Sequence, residues 1–329
     1  MARKKRACLI FIAQKRESMA LSKILKKRIE AAAEIILNPE PEEYDKAFMA
    51  RHLIQVTLPH SSPGNVPIWK RTNGNLTLSI RSGWNTQKDK PIGYPFGTIP
   101  RLLLFWITTE TLRRKSKKIQ LGDSLAGFMK DIGLNPDTGG GIRGDAKRLR
   151  SQMERLFRAI ISFENHYEDN NVEGHGWIDM QVAPKGELWW DIKNPNQPNL
   201  WESWIELSED FYNCIISAPV PVDKRALSIL KNSSLALDLY SWATYKTFAV
   251  SKRGTPQFID WKGMQQQFGA SYNDTKNFKR KVKQALKKVK GVYPAFKYEE
   301  VNGGIKIHPS KTAVTQRNSK RAAIKSQNK

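Results

Sequence analysis

The sequence predicts an α+β fold built as two similar halves in tandem, flanked by basic termini. Three observations predict it. Helical and strand-like apolar periodicities alternate along the chain. The apolar pattern around Leu103 recurs around Leu239 in one register. The positive charge is gathered in blocks rather than spread over the patterned body.

A chain of 329 residues is long enough for two domains of ordinary size. A hydrophobic fraction of 40%, with 10 Trp and 13 Phe, supplies packed cores and excludes a disordered chain. No apolar run is long enough for a helical bilayer crossing, so no membrane span is expected. Two cysteines, Cys8 and Cys214, cannot staple a chain of this size or build a cysteine-rich zinc site. A reducing cytosol is the expected compartment.

Lys and Arg number 55 against 31 Asp and Glu, a formal charge of +24. Residues 1–28, 252–290 and 310–329 together hold 27 cations and 3 acids, which is the whole excess. Charge concentrated in this way makes a local field that attracts polyanions.

The elements follow in order. Arg3-Lys4-Lys5-Arg6 before an apolar stretch resembles a secretory leader, but no small-residue cleavage site follows. Residues 19–37 carry the apolar spacing of an amphipathic helix, stopped at Asn38-Pro39. Residues 53–58 and 76–81 alternate as strands do, separated by a Pro/Gly/Ser-rich loop. Thr98-Ile99-Pro100 opens a helix to Arg114, with Thr98 as cap. A short strand at 118–121, a helix at 124–132 ended by Gly133, and a helix at 145–160 come next. Strands are expected at 160–167, 176–183, 187–192 and 202–207, then a helix at 209–216. Ala218-Pro219-Val220-Pro221-Val222 reads as a stiff connector. Beyond it lie helices at 223–231 and 234–250, a strand at 257–260, helices at 261–268 and 274–290, and a hairpin turning at Asn302-Gly303-Gly304.

A shift of 136 positions superposes Leu103 on Leu239, Trp106 on Trp242, Phe128 on Met264 and Gly133 on Gly269. After a loop about seven residues longer in the first copy, Leu149, Met153 and Phe157 answer Phe278, Val282 and Leu286. The repeated order is helix, short strand, short helix, turn, long helix, hairpin. That order is a winged helix-turn-helix, in which the long helix protrudes and fits a DNA major groove. The expected organisation is a basic segment over 1–50, winged-helix domains over 51–218 and 219–309, and a disordered basic tail over 310–329.

The second copy carries the clearer DNA signature. Phe278, Val282, Leu286 and Val289 follow core spacing, while Lys276, Lys279, Arg280, Lys283, Lys287 and Lys290 gather opposite. Phosphate contact needs cations on long stems, and base reading needs polar groups near the helix start. Tyr272, Asn273, Thr275, Lys276, Lys279 and Arg280 meet the second need, and Lys283 and Lys287 the first. In the first copy Arg143, Lys147, Arg148 and Arg150 are the candidates, although Arg150 and Arg155 could equally pair with acids inside the domain. Gly139-Gly140-Gly141 lacks the ending of a nucleotide-phosphate loop and reads as a loop approaching the DNA backbone.

No catalytic constellation is legible. The five histidines show no two- or four-residue pairing, no Gly-x-Ser-x-Gly occurs, and no metal or cofactor is expected. An unfamiliar metal nuclease is the residual alternative to a non-enzyme.

Leu58-Pro59-His60, Trp69 through Gly74, Tyr94 through Arg101, and Leu121 through Leu125 resemble plasmid-encoded RepA replication initiators. The likeness is looser over about 50–310 and is closest to those of broad-host-range plasmids, with TrfA more distant. It implies two winged-helix domains that bind direct repeats, the iterons, at a plasmid origin. It also implies origin melting with host DnaA, loading of the DnaB helicase, autorepression, and exchange between inactive dimers and binding monomers. The rivals are a winged-helix transcriptional repressor without initiation activity and a basic RNA-binding or scaffold protein.

Overall fold

The computed structural model describes residues 23–136, 144–169, 172–189, 197, 203–269 and 274–315. Helix α1 (Lys23–Leu37) leads through a 3-10 turn at Glu43–Asp45 to β1 (Lys46–Ala50) and the short α2 (Arg51–Gln55). Strands β2 (Trp69–Asn73), β3 (Leu76–Arg81), β4 (Trp84–Asn85) and β5 (Lys90–Pro91) follow. Then come α3 (Thr98–Arg114), β6 (Lys118–Gln120), α4 (Leu125–Asp131) and α5 (Asp145–Arg158). The long strands β7 (Ile160–Asp169) and β8 (Val172–Gln181) precede β9 (Lys185–Glu187), β10 (Trp204–Glu206) and α6 (Glu209–Ser217). The second half runs β11 (Pro219–Asp223), α7 (Lys224–Leu230), α8 (Ser234–Arg253), β12 (Gln257–Asp260) and α9 (Trp261–Phe268). It ends with α10 (Thr275–Val292), β13 (Tyr298–Val301) and β14 (Gly304–Ile307). The fold is mixed α and β.

The repeat is visible in the helices. Helices α3 and α8 begin 136 residues apart, at Thr98 and Ser234, and so do α4 and α9, at Leu125 and Trp261. Each of the two equivalent tryptophans packs on an aromatic ring, though at different positions of the repeat: Trp106 meets Phe128 edge-on at 4.9 Å, and Trp242 meets Phe268, the counterpart of Ile132, edge-on at 5.8 Å. Such perpendicular pairs add to what burial alone contributes.

The sheets do not repeat. In the second half β12 joins the hairpin, giving the order β12-β14-β13. In the first half β6 pairs with β10, in the order β6-β10-β9, and the hairpin strands instead extend β2 and β3 as β2-β3-β7-β8. Trp69–Asn73 had read as loop because Pro, Gly and Ser crowd its approach. It is a strand because Gly74, at φ 57°, turns it back so that Asn73 faces Leu76 in the pairing with β3. The strand expected at residues 53–58 does not form: its first half belongs to the helical turn Arg51–Gln55, whose Leu53 and Ile54 are buried.

The Pro-rich connector is β11, antiparallel to β1 with Lys46 opposite Asp223 and Ala50 opposite Pro219. The segment 46–50 is therefore bound to the start of the second half rather than part of a basic arm. A single cluster of buried side chains runs through both halves, including Leu103, Leu104, Leu239 and Trp242. Ordered contacts also continue past Pro309. Tyr293 donates to Lys311 O at 2.7 Å, and Lys311 pairs with Glu40 at 2.6 Å. The expected disordered tail is thus packed through Thr315, which donates to Glu40 at 2.8 Å.

Candidate nucleic-acid interface

Helix α10 starts where Asp274 accepts hydrogen bonds from the backbone N–H groups of Lys276 and Asn277, at 2.9 and 3.1 Å. This satisfies two of the orphan donors of the first turn. Thr275 donates to Gln265 of α9 at 2.8 Å, fixing the start of α10 on its neighbour. Phe278, Val282, Ala285, Leu286 and Val289 are buried and hold one face of the helix in the core. The other face is what the core leaves over.

On that face Lys276, Arg280 and Lys287 are exposed. Arg280 donates to Asn277 Oδ1 at 2.9 Å, which holds the guanidinium along the helix near its start. Lys279 and Lys283 lie over the Trp261 ring at 5.9 and 5.8 Å, within cation–π reach. Lys283 also pairs with Glu300 of β13, and Lys290 donates to Pro294 O and Phe296 O at 2.7 and 2.6 Å. Lys290, grouped with the free cations by spacing, ties down the chain ahead of the hairpin.

In the first half, Lys147, Arg148 and Arg150 are exposed on α5, and Arg148 pairs with Asp145 at 3.0 Å. Arg155 turns inward. It stacks 5.3 Å over Phe96, donates to Tyr94 O at 3.2 Å, and has its pKa lowered by burial. Gly93, at φ 97°, leaves room for it, since a Cβ there would stand 3.1 Å from the guanidinium. Arg143, Tyr272 and Asn273 lie outside the described residues.

Helices α5 and α10 both line one cleft of about 870 Å³. Helix α5 contributes Lys147, Arg148 and Arg155, and α10 contributes Lys281, Gln284 and Lys288. No Asp or Glu is among its lining residues. The amino termini of α3 and α8, at Gly97-Thr98 and Ser233-Ser234, open into it, adding the positive ends of two long helices. With five cations and no acid on its lining, the cleft is electropositive. Lys281, Gln284 and Lys288 were missed in the sequence, although their 3-and-4 spacing marks a second polar stripe beside the one recognised.

His60, which lines the cleft, also belongs to a buried joint between the two halves. Arg101 on α3 donates from Nε to Asp238 Oδ1 and from Nη2 to Asp238 Oδ2, both at 2.7 Å. His60 Nε2 meets Asp238 Oδ2 at 2.8 Å. Burial pushes the Asp238 carboxyl upward, but Arg101 and His60 outweigh it and hold it well below the carboxylate range. Burial lowers the His60 pKa to about 4, so the ring is neutral at pH 7. Arg101 further donates to the carbonyls of Leu58, Pro59 and Gly97 at 2.7, 3.0 and 2.6 Å. Arg71 donates to Thr57 and to Leu58 O, and burial lowers its pKa to about 9. Leu58, His60, Arg71, Gly97 and Arg101, drawn from three of the stretches that carry the sequence resemblance, thus converge on one buried joint.

Residues 94–263, just over half of the 329, match the family model described as plasmid encoded RepA protein. The chain belongs to the plasmid-encoded RepA family. It is accordingly a plasmid replication initiator. The RepA match contains Arg101, Asp238 and all of α5, and stops before α10. No curated protein matches the chain. A solved structure of domains 2 and 3 of RctB is similar at 14% identity and a TM-score of 0.46, over 78% of this RepA-family chain and 95% of that chain. Among the described residues, no helix is long and apolar enough to cross a membrane.

Proposed function

We propose that the chain initiates plasmid replication by binding direct repeats, the iterons, with α10 in one major groove and α5 in the next. The cleft between these helices, five cations and no acid on its lining, is the observation that carries this reading. Each half acts as a winged-helix unit over the expected spans 51–218 and 219–309. The order α8-β12-α9-α10-β13-β14 with its three-stranded sheet supports that reading for the second unit. The repeated helix starts support it for the first.

Two recognition helices on one chain span roughly two turns, about 20 bp. Because α5 and α10 differ in sequence, the site they read is asymmetric, which suits direct rather than inverted repeats. Arg280, held near the start of α10, and Asn273 would read bases; Lys276, Lys287, Lys147 and Arg150 would meet phosphates. Bound monomers would then melt the origin with host DnaA, load a DnaB-type helicase, and repress the initiator's own promoter, with dimers as the inactive store. All of this takes place in the cytoplasm.

The chain acts without catalysis. Burial pushes the Cys214 thiol up to about 11, so it carries almost no thiolate at neutral pH, and the neutral His60 ring is buried against Asp238.

The experiment is a mobility-shift titration of repeat-bearing and scrambled duplexes across salt. Neutralising 6–10 phosphates lowers affinity by about 10³–10⁵ between 50 and 200 mM salt. Equal affinity for both duplexes and for RNA would instead favour a basic scaffold.

A further inference from the structure

We propose that Glu164, His166 and His175, on the solvent face of the β7–β8 hairpin, bind a zinc ion. The register puts His166 opposite His175 and Glu164 opposite Trp177. Because directly paired residues share a face and the side-chain period is two, both imidazoles and the carboxylate project together. One donor atom from each of the three residues lies within 4.8 Å of the others. The imidazoles stack at 4.5 Å and 5°, and His175 Nε2 stands 3.7 Å from Glu164 Oε2. Tetrahedral zinc at its usual bond lengths needs donors about 3.4 Å apart, so side-chain rotation of these half-exposed groups closes the site without moving the backbone.

The backbone is already fixed around them. His166 N–H donates to Asn75 O at 3.1 Å, beyond the β3 ladder. Gly174 and Gly176 flank His175, and the Tyr167 ring lies within 3.7 Å of where their Cβ atoms would stand. The ring therefore supports the strand from its other face, while His175 faces the solvent side.

Two imidazoles with one carboxylate and no thiolate suit zinc better than magnesium or calcium, which take oxygen donors. Three protein ligands leave the fourth position for water. The ion would tie β7 to β8 three residue pairs inside the Asp169–Val172 end of the ladder. Neither histidine is two or four residues from the other in sequence; the hairpin alone brings them together. The inference is independent of how the chain reads DNA.

The test titrates Zn²⁺ into the full chain in competition with a chromophoric chelator. The wild-type chain is expected to take up one ion. His166→Gln and His175→Gln are each expected to weaken it about tenfold or more, and Cys214→Ser, which removes the thiol 3.4 Å from His52 Nδ1, to leave it unchanged. A second readout uses the Trp177 ring, centred 5.3 Å from His175. Co²⁺ should quench the emission component that Trp177→Phe removes. Absence of saturable uptake, uptake indifferent to both histidine substitutions, or an unquenched Trp177 component overturns the proposal.

Discussion

Arg101 and Asp238 form a bidentate ion pair across the two halves of the chain, with side chains 3% and 8% exposed. The shift that relates the halves carries position 101 to 237, so the pair nearly joins equivalent turns of α3 and α8. Its geometry couples the two helices that line the cleft, since α5 packs on α3 and α10 on α8.

Removing one partner leaves the other charged and buried. Arg101→Ala is expected to cost about 3–5 kcal/mol in urea unfolding. Arg101→Lys should recover only part of this, because an ammonium cannot reproduce the planar fork. Full recovery by Lys would show that the pair's geometry is immaterial.

His60 gives the fold a pH dependence of known sign. Its folded pKa of about 4 lies below the ordinary 6.5, so between those values the unfolded chain binds a proton that the folded one refuses. The His60 contribution to stability therefore falls as pH drops from 6.5 to 4, by about 3 kcal/mol in all, and changes no further below pH 4. Asp238 acts lower still: its depressed pKa stabilises above the ordinary carboxylate range and is lost only as pH falls beneath it. His60→Gln should flatten the unfolding free energy between pH 4 and 6.5. An unaltered slope in chemical denaturation would assign that dependence to other groups.

Much of the fold was legible where the signal is local. Helix α10, capped by Asp274 and periodic in Phe278, Val282 and Leu286, follows from spacing alone, and so do β12 and α9. What escaped depends on distance along the chain. Arg101 reads as one more cation until Asp238, 137 positions away, is brought to it. The Pro219–Asp223 connector reads as a spacer until β1 supplies its hydrogen-bonding partner. Of the predicted DNA contacts, Lys283 is shared with Glu300 and Lys279 with Trp261. Sequence periodicity gives the face of a helix but not its neighbours.

Arg280 and Lys287 should separate base reading from phosphate contact. Arg280→Ala is expected to erase most of the preference for the repeat, a loss of about 1–3 kcal/mol, while sparing binding to scrambled duplex. Lys287→Ala should weaken all duplexes alike and lower the salt slope by about 1. Fluorescence anisotropy on both duplexes distinguishes these outcomes, and equal losses for Arg280→Ala would deny it a base.

The cleft cations that sequence spacing passed over are the next test. Lys281→Ala with Lys288→Ala is expected to lower the log-affinity against log-salt slope by about 2, with unchanged thermal stability. A slope equal to wild type would mean that the DNA does not enter between α5 and α10.

The most direct measurement is a hydroxyl-radical footprint of the full chain on the DNA flanking its own gene. Two protected segments per repeat, about one helical turn apart on one face and repeated head to tail, are expected. Protection confined to a single turn, or arranged symmetrically about a dyad, would contradict an initiator that reads its site with two unlike helices.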